Sequence, residues 1–204
     1  MNEIDEVAVF IARRIAQLDE NMPYSRMMLA RLRRAVGKTP LDVPDVWEMT
    51  IPGFLAPTRQ DNISDAEWVI HIILSLYAMH KQSSEGSVHK AGEPFGKAVA
   101  GLIQRDPLRR ASVMRRFNAL ATSVEFSEMT QHARGIIQLL RQDSYSPLDY
   151  LDFARDLYRF RRGNASYIRL KWGRDFYRNS DIAISDATAD TDDTNSDDEN
   201  NEEE

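Results

Sequence analysis

The stretch Ser64–Gln82, SDAEWVIHIILSLYAMHKQ, decides the fold class. Ser64 followed three residues later by Glu67 is a capping box, a pair that satisfies two orphan N–H groups at a helix start. From Trp68 to Met79 the run is apolar on almost every side, interrupted by His71 and Ser75. It is too short to cross a bilayer, which needs about 20 residues. A helix this greasy must be covered by neighbours. The reading is a central helix, buried all round.

Working outward, the neighbours follow at helical spacing. Ile4, Val7, Ile11, Ile15 and Leu18 share one face, and after Pro23 a second helix opens at Ser25 with Met28, Leu29, Leu32 and Val36 inward, stopped by Gly37. Residues 39–58 hold Pro40, Pro44, Pro52 and Pro57, an irregular connection with one helical turn around Val46 and Trp47. Residues 82–92 read as a polar, flexible loop. One helix follows Pro94, and Asp106-Pro107 starts the next, with proline at the first helical position. Further helices are expected at about 127–142, 147–162 and 164–178, with Gly163 and Asn164 as a stop and restart. No stretch alternates like a strand. The expectation is an all-α compact bundle of about seven to nine helices. It divides into an N-terminal bundle (1–103), a C-terminal bundle packed on it (104–178) and a disordered acidic tail (179–204).

The net charge of −6 hides an asymmetry. Eleven of the 32 acidic residues lie in 179–204, a segment without Lys or Arg, so residues 1–178 carry about +5. Such a tail, rich in Asp, Glu, Asn, Thr and Ser, lacks the apolar area to offset ordering entropy. Of the 26 cations 21 are arginine, whose planar fork suits phosphate. Projected around their helices, many align. Arg109, Ser112 and Arg116 fall along one flank, with Arg105 just before and Arg115 outside; Arg110 projects inward and needs a partner. Arg134, Gln138 and Arg141 line the outer side of the next helix, and Lys171, Arg174 and Arg178 recur on the last. Arg26, Arg31, Arg33 and Arg34 crowd the second helix. Some cations have acids nearby on their own helix, as in Asp152–Arg155, Asp156–Arg159 and Asp175–Arg178. Between Gly96 and Arg116, however, six cations (Lys97, Arg105, Arg109, Arg110, Arg115, Arg116) face one acid, Asp106. That surplus points to an anionic partner, most simply a phosphate backbone. No aromatic platform stands out beside these stripes, so contact is expected to be sequence-tolerant.

Catalytic chemistry finds no footing. There is no cysteine, and the histidines (71, 80, 89, 132) lack metal-site spacing; Glu67 and His71 read as a buried hydrogen-bonded pair. Phosphate-cradling glycine loops and a nucleophile elbow are absent, and Trp68 and Trp172 read as core. The paired aspartates of the tail lack the fixed geometry that acid–base or two-metal work demands. A non-enzyme without metal or cofactor is expected. The acidic N-terminus is unlike an export signal, so a cytoplasmic protein with no membrane contact is expected.

Several segments, in order, are similar to a known family. Gly92-Glu93-Pro94-Phe95-Gly96-Lys97-Ala98-Val99-Ala100 resembles the G-x-S-L-G-R-A-L-A stretch of the CasB family, the small subunits of Cascade, the type I-E CRISPR surveillance complex. Arg109-Arg110, Arg116-Phe117 with Leu120, Leu148-Asp149-Tyr150, Ala154-Arg155-Asp156-Leu157 and the ending from Arg169 to Tyr177 resemble it too. The likeness spans about Ser64 to Tyr177. It implies a helical, non-catalytic subunit that sits as a pair, touches the backbone subunits and the large subunit of a guide RNA complex, and helps hold the displaced single-stranded DNA. It also implies basic contacts at Lys97, Arg109, Arg110 and Arg116, the positions that the helical projection picks out from charge alone. A strand holder of this kind needs only phosphate contacts, because base pairing reads the sequence. Pro94 departs from the family's small hydroxyl residue, and the acidic tail is foreign to its pattern. The alternative reading is a helical adaptor whose cations meet acidic protein subunits. For the tail, the charge suggests a tethered competitor for the basic surface, against a merely solubilising role.

Overall fold

The computed structural model describes residues 2–53, 63–143 and 146–180, and among these the chain is all-α. The acidic tail, expected to be disordered, lies outside the described residues apart from Asn179 and Ser180. The helices are α1 (Glu3–Asp19), α2 (Pro23–Ala35), the short α3 (Trp47–Thr50), α4 (Asp65–His80), α5 (Phe95–Arg105), α6 (Arg110–Thr122), α7 (Phe126–Gln142), α8 (Tyr150–Arg159) and α9 (Ala165–Asn179).

The capping box forms as its residue types require. Ser64 Oγ accepts from the Glu67 N–H at 3.2 Å while Glu67 accepts from the Ser64 N–H at 2.8 Å. From Val69 to His80 every residue of α4 except Ile72 is buried. Helices α1, α2, α7 and α8 pack around it, and α5 lies along α9 in the most extensive helix pair. The buried apolar residues form one continuous cluster from Val7 to Phe176. Gly96 sets the α5–α9 spacing: a methyl group there would collide with the Trp172 carbonyl oxygen and lie 2.8 Å from the Phe176 nitrogen.

Several boundaries differ from the sequence reading for local reasons. Pro23 does not precede α2 but is its first residue, where a missing N–H costs nothing. α8 starts at Tyr150 rather than Pro147, because Asp149 caps it, accepting from the Leu151 and Asp152 N–H groups. The connection after α2 holds two 3₁₀ turns, Pro40–Asp42 and Pro44–Val46, before α3. The far end of the expected flexible loop is stitched down: Leu148 donates to the Val88 carbonyl, Lys90 to the Leu148 carbonyl and Gly92 to the Asp149 carboxylate. Phe160–Asn164 is a wide turn between α8 and α9, and Gly163 takes its positive φ of 90°.

Candidate nucleic-acid interface

The corner from α5 to α6 is built by Asp106. Its carboxylate accepts from the Leu108 N–H at 3.2 Å and pairs with Arg109 at 3.1 Å, which aims Leu108 outward. Lys97 pairs with Glu93 one turn back, at 3.1 Å. Arg105 reaches across to Asp143 and the Ser146 hydroxyl; burial works against the Asp143 charge, yet Ser146 and Arg105 hold its carboxyl below the usual range. Arg110, which projected inward, is half-buried and engaged. The Arg109–Asp106 pair is open enough to solvent to contribute about 0–1 kcal/mol, so Arg109 can exchange its carboxylate for a phosphate at little cost, whereas Lys97 holds a half-buried Glu93.

Farther along, the cations lose their acidic partners. Arg115 is exposed, with no partner among the described residues. Arg116 donates to the Ser112 hydroxyl at 2.8 Å, and its stem passes over Gly135 of α7. The residue before that glycine, Arg134, extends across Gly37 at the end of α2. Arg141 donates to the Gln82 side chain at 2.7 Å. Arg116 thus meets α7 beside Arg134, whose own side chain runs on to the end of α2, whereas Arg105 and Arg141 stand toward the other end of α7.

Lys171 has a different setting. Its ammonium donates to both carboxylates of Asp152 and Asp156 at 2.8–3.0 Å, and the Trp172 indole N–H donates to Asp156 at 2.7 Å. The Asp156 carboxyl is fully buried, and burial pushes it up to about 6 against the pull of Lys171. Burial also opposes the Lys171 charge, but the two carboxylates outweigh it and hold the ammonium above the ordinary lysine value. The expected pairs Asp152–Arg155 and Asp156–Arg159 therefore do not form, since both acids turn to Lys171. Arg155 instead approaches Asp5 at 3.9 Å. Glu67 and His71 are likewise not partners: Glu67 serves the capping box, and His71 Nε2 meets the Lys38 carbonyl at 3.1 Å.

One feature of α9 escaped the sequence reading. Tyr167 (59% exposed), Leu170 (51%) and Tyr177 (47%) flank Arg174 on its outer face, opposite buried Ile168, Trp172 and Phe176. The signal was present as spacing, at i, i+3, i+7 and i+10, beside a cationic stripe where no aromatic platform was expected. Arg174 is exposed, with no partner among the described residues. Among those residues no cluster of three or more His, Asp or Glu could hold a metal ion, and no helix is long and apolar enough to cross a membrane.

Residues 28–177 match the model of the CRISPR-associated protein Cse2 family, and the chain belongs to that family. The crystal structure of CasB from Thermobifida fusca is 31% identical, with a TM-score of 0.70 over 84% of this chain and 97% of that one. This bears out the CasB resemblance seen in the sequence. A chain of a CRISPR RNA-guided surveillance complex shares the fold at 20% identity and a TM-score of 0.70, covering 90% and 99% of the two chains. The Cse2-family protein of Thermus thermophilus does so at 20% and 0.63, over 87% and 99%. No curated protein matches the chain.

Proposed function

We propose that this chain is the small, non-catalytic subunit of a Cascade-type CRISPR surveillance complex, and that it holds the displaced single strand of DNA by its phosphates. The observation that carries the reading is the group of outward arginines without acidic partners among the described residues, Arg115 and Arg174 together with Arg116 and Arg134, in a chain of the Cse2 family. Lys97, Arg105, Arg109 and Arg141 add weaker contacts that first release a carboxylate or amide partner, and Arg110, itself already engaged, adds to them. Lys171 contributes by holding α9 in place. Tyr167 and Tyr177 supply ring faces on which bases can stack, worth about 1–3 kcal/mol each.

The partners in this reading are the backbone subunits, the large subunit with its guide RNA, the single strand and a second copy of the chain, in the cytoplasm. The halves 1–103 and 104–178 act as two bundles that unfold together, since one core runs through both. The tail (179–204) lowers affinity for stray nucleic acid by competing for the same arginines. Removal of 179–204 should tighten binding to random DNA at low salt, and equal affinity would leave the tail a solubiliser.

The test is the salt dependence of single-strand binding. Each lost phosphate contact removes about 0.7 from the slope of log affinity against log salt. The triple change Arg115→Ala, Arg116→Ala, Arg134→Ala should lower both affinity and slope. The second reading, a protein adaptor, is favoured by Tyr167, Leu170 and Tyr177, residue types suited to a subunit interface. Unchanged slope with weakened assembly would select it.

A further inference from the structure

A cleft of about 600 Å³ opens between the end of α2, the middle of α4 and the start of α7, within the range of small-molecule sites. Its floor carries His71 and Ser75, one turn apart on α4 and 1% and 2% exposed. His71 uses Nε2 on the Lys38 carbonyl, so Nε2 carries the hydrogen and Nδ1 is a bare acceptor. Neither Nδ1 nor the Ser75 hydroxyl has a hydrogen-bond partner, and they are two of four such buried side-chain atoms among the described residues. Buried polar atoms are normally bonded. His71 and Ser75 lie one turn apart beneath the cleft, and a ligand pressed against this floor can supply the missing partners.

The walls say which ligand. Lys38, Arg134 and Arg161 line the cleft against one acid, Glu125. Arg134 reaches across the mouth because residue 37 has no side chain: its Nη1 lies 2.9 Å from where a Cβ of Gly37 would stand, and Gly37 holds a φ of +82°. The first turn of α7 enters the cleft with no side-chain cap, leaving N–H groups that favour an anion. Trp68 and Phe126 form an aromatic wall, held by Arg161 at 5.6 and 4.8 Å from their ring centres and itself fixed to Asp65. The ligand is flat, has a hydrogen-bonding edge and carries a negative charge.

We propose that this cleft binds a single nucleotide, its base edge on His71 and Ser75 and its phosphate on Arg134 and Lys38. In the strand-holding reading the nucleotide is one that has left the stack, exchanging stacking for polar contacts inside. The proposal rests on that reading only for the source of the nucleotide, so free nucleotide tests the cleft by itself. Titrate the full chain with dAMP and with deoxyribose 5-phosphate, following binding by calorimetry. dAMP should bind about tenfold tighter than the sugar phosphate. Arg134→Ala should weaken dAMP about tenfold. Ser75→Ala should weaken dAMP several-fold, leave the sugar phosphate unchanged and not lower Tm, because it deletes an unbonded hydroxyl. Equal affinity for the two probes, no saturable dAMP binding at millimolar concentration, or an unaltered Ser75→Ala would overturn the proposal. Arg115→Ala with Arg174→Ala changes strand binding but not dAMP binding, which separates failure of the strand reading from failure of the cleft.

Discussion

Lys171 and Arg174 stand one turn apart on α9 and live in different worlds. Lys171 lies in the seam between α8 and α9, gripped by two carboxylates, one of them fully buried and bonded to an indole. Arg174 stands on the outer ridge among two tyrosines and a leucine, with no partner among the described residues. The same helical projection selects both. What separates them is the partner helix, which sequence spacing does not see: α8 brings Asp152 and Asp156 to one side of α9, and no described element brings an acid to the other. Charge at the seam serves cohesion, and charge on the ridge is available to a ligand.

The contrast can be broken most sharply at the seam. Lys171→Met strands the Asp156 carboxylate and should cost about 3–5 kcal/mol, read from urea unfolding. A loss below about 1 kcal/mol, the range of an exposed pair, would mean the seam is no different from the ridge. Gly96→Ala comes next, since it forces apart the helix pair that carries both cations; overpacking of this kind costs about 1–3 kcal/mol.

The third test is pH. Asp156 sits at about 6 in the folded chain against an ordinary 3.8. The folded state therefore binds a proton that the unfolded chain releases. Its stabilising contribution is complete below about pH 4 and is lost as pH rises through about 6. Unfolding midpoints should rise between about pH 7 and about pH 5, and Asp156→Asn should flatten that rise. A fall over the same interval would show the Lys171 attraction winning over burial. The smallest effect belongs to the ridge. Arg115→Ala and Arg174→Ala should each change stability by less than about 0.5 kcal/mol, while each removes about 0.7 from the salt slope of strand binding.

Much of the architecture was legible because its signals are local. The Ser64–Glu67 capping box, the greasy α4 and the glycine of the last turn each announce themselves within a few residues. The CasB resemblance was legible for the same reason, through short motifs in order. Boundaries set by side chains one step away were less so, as with Asp149 capping α8 where the sequence reading starts the helix at Pro147. The candidate interface was legible as a set of cations, not as a surface. Nothing in the spacing of Arg105 foretells Asp143, 38 residues on, and nothing in α4 foretells that His71 would answer to the Lys38 carbonyl. Tyr167 and Tyr177 were passed over because the helical projection followed charge alone, and their exposure depends on which face of α9 its neighbours cover.

The bond from the Trp172 indole to Asp156 gives the molecule a built-in optical probe. Of its three tryptophans, Trp47 is 39% exposed, Trp68 is half-buried and Trp172 alone is sealed from water. The emission of Trp172 belongs at the blue edge of the spectrum, and a proton arriving on Asp156 exchanges a full negative charge beside the ring for a neutral acid. A change in colour or yield near pH 6, where that carboxyl titrates, would let the α8–α9 seam be watched without a label, in the isolated chain or inside a larger assembly.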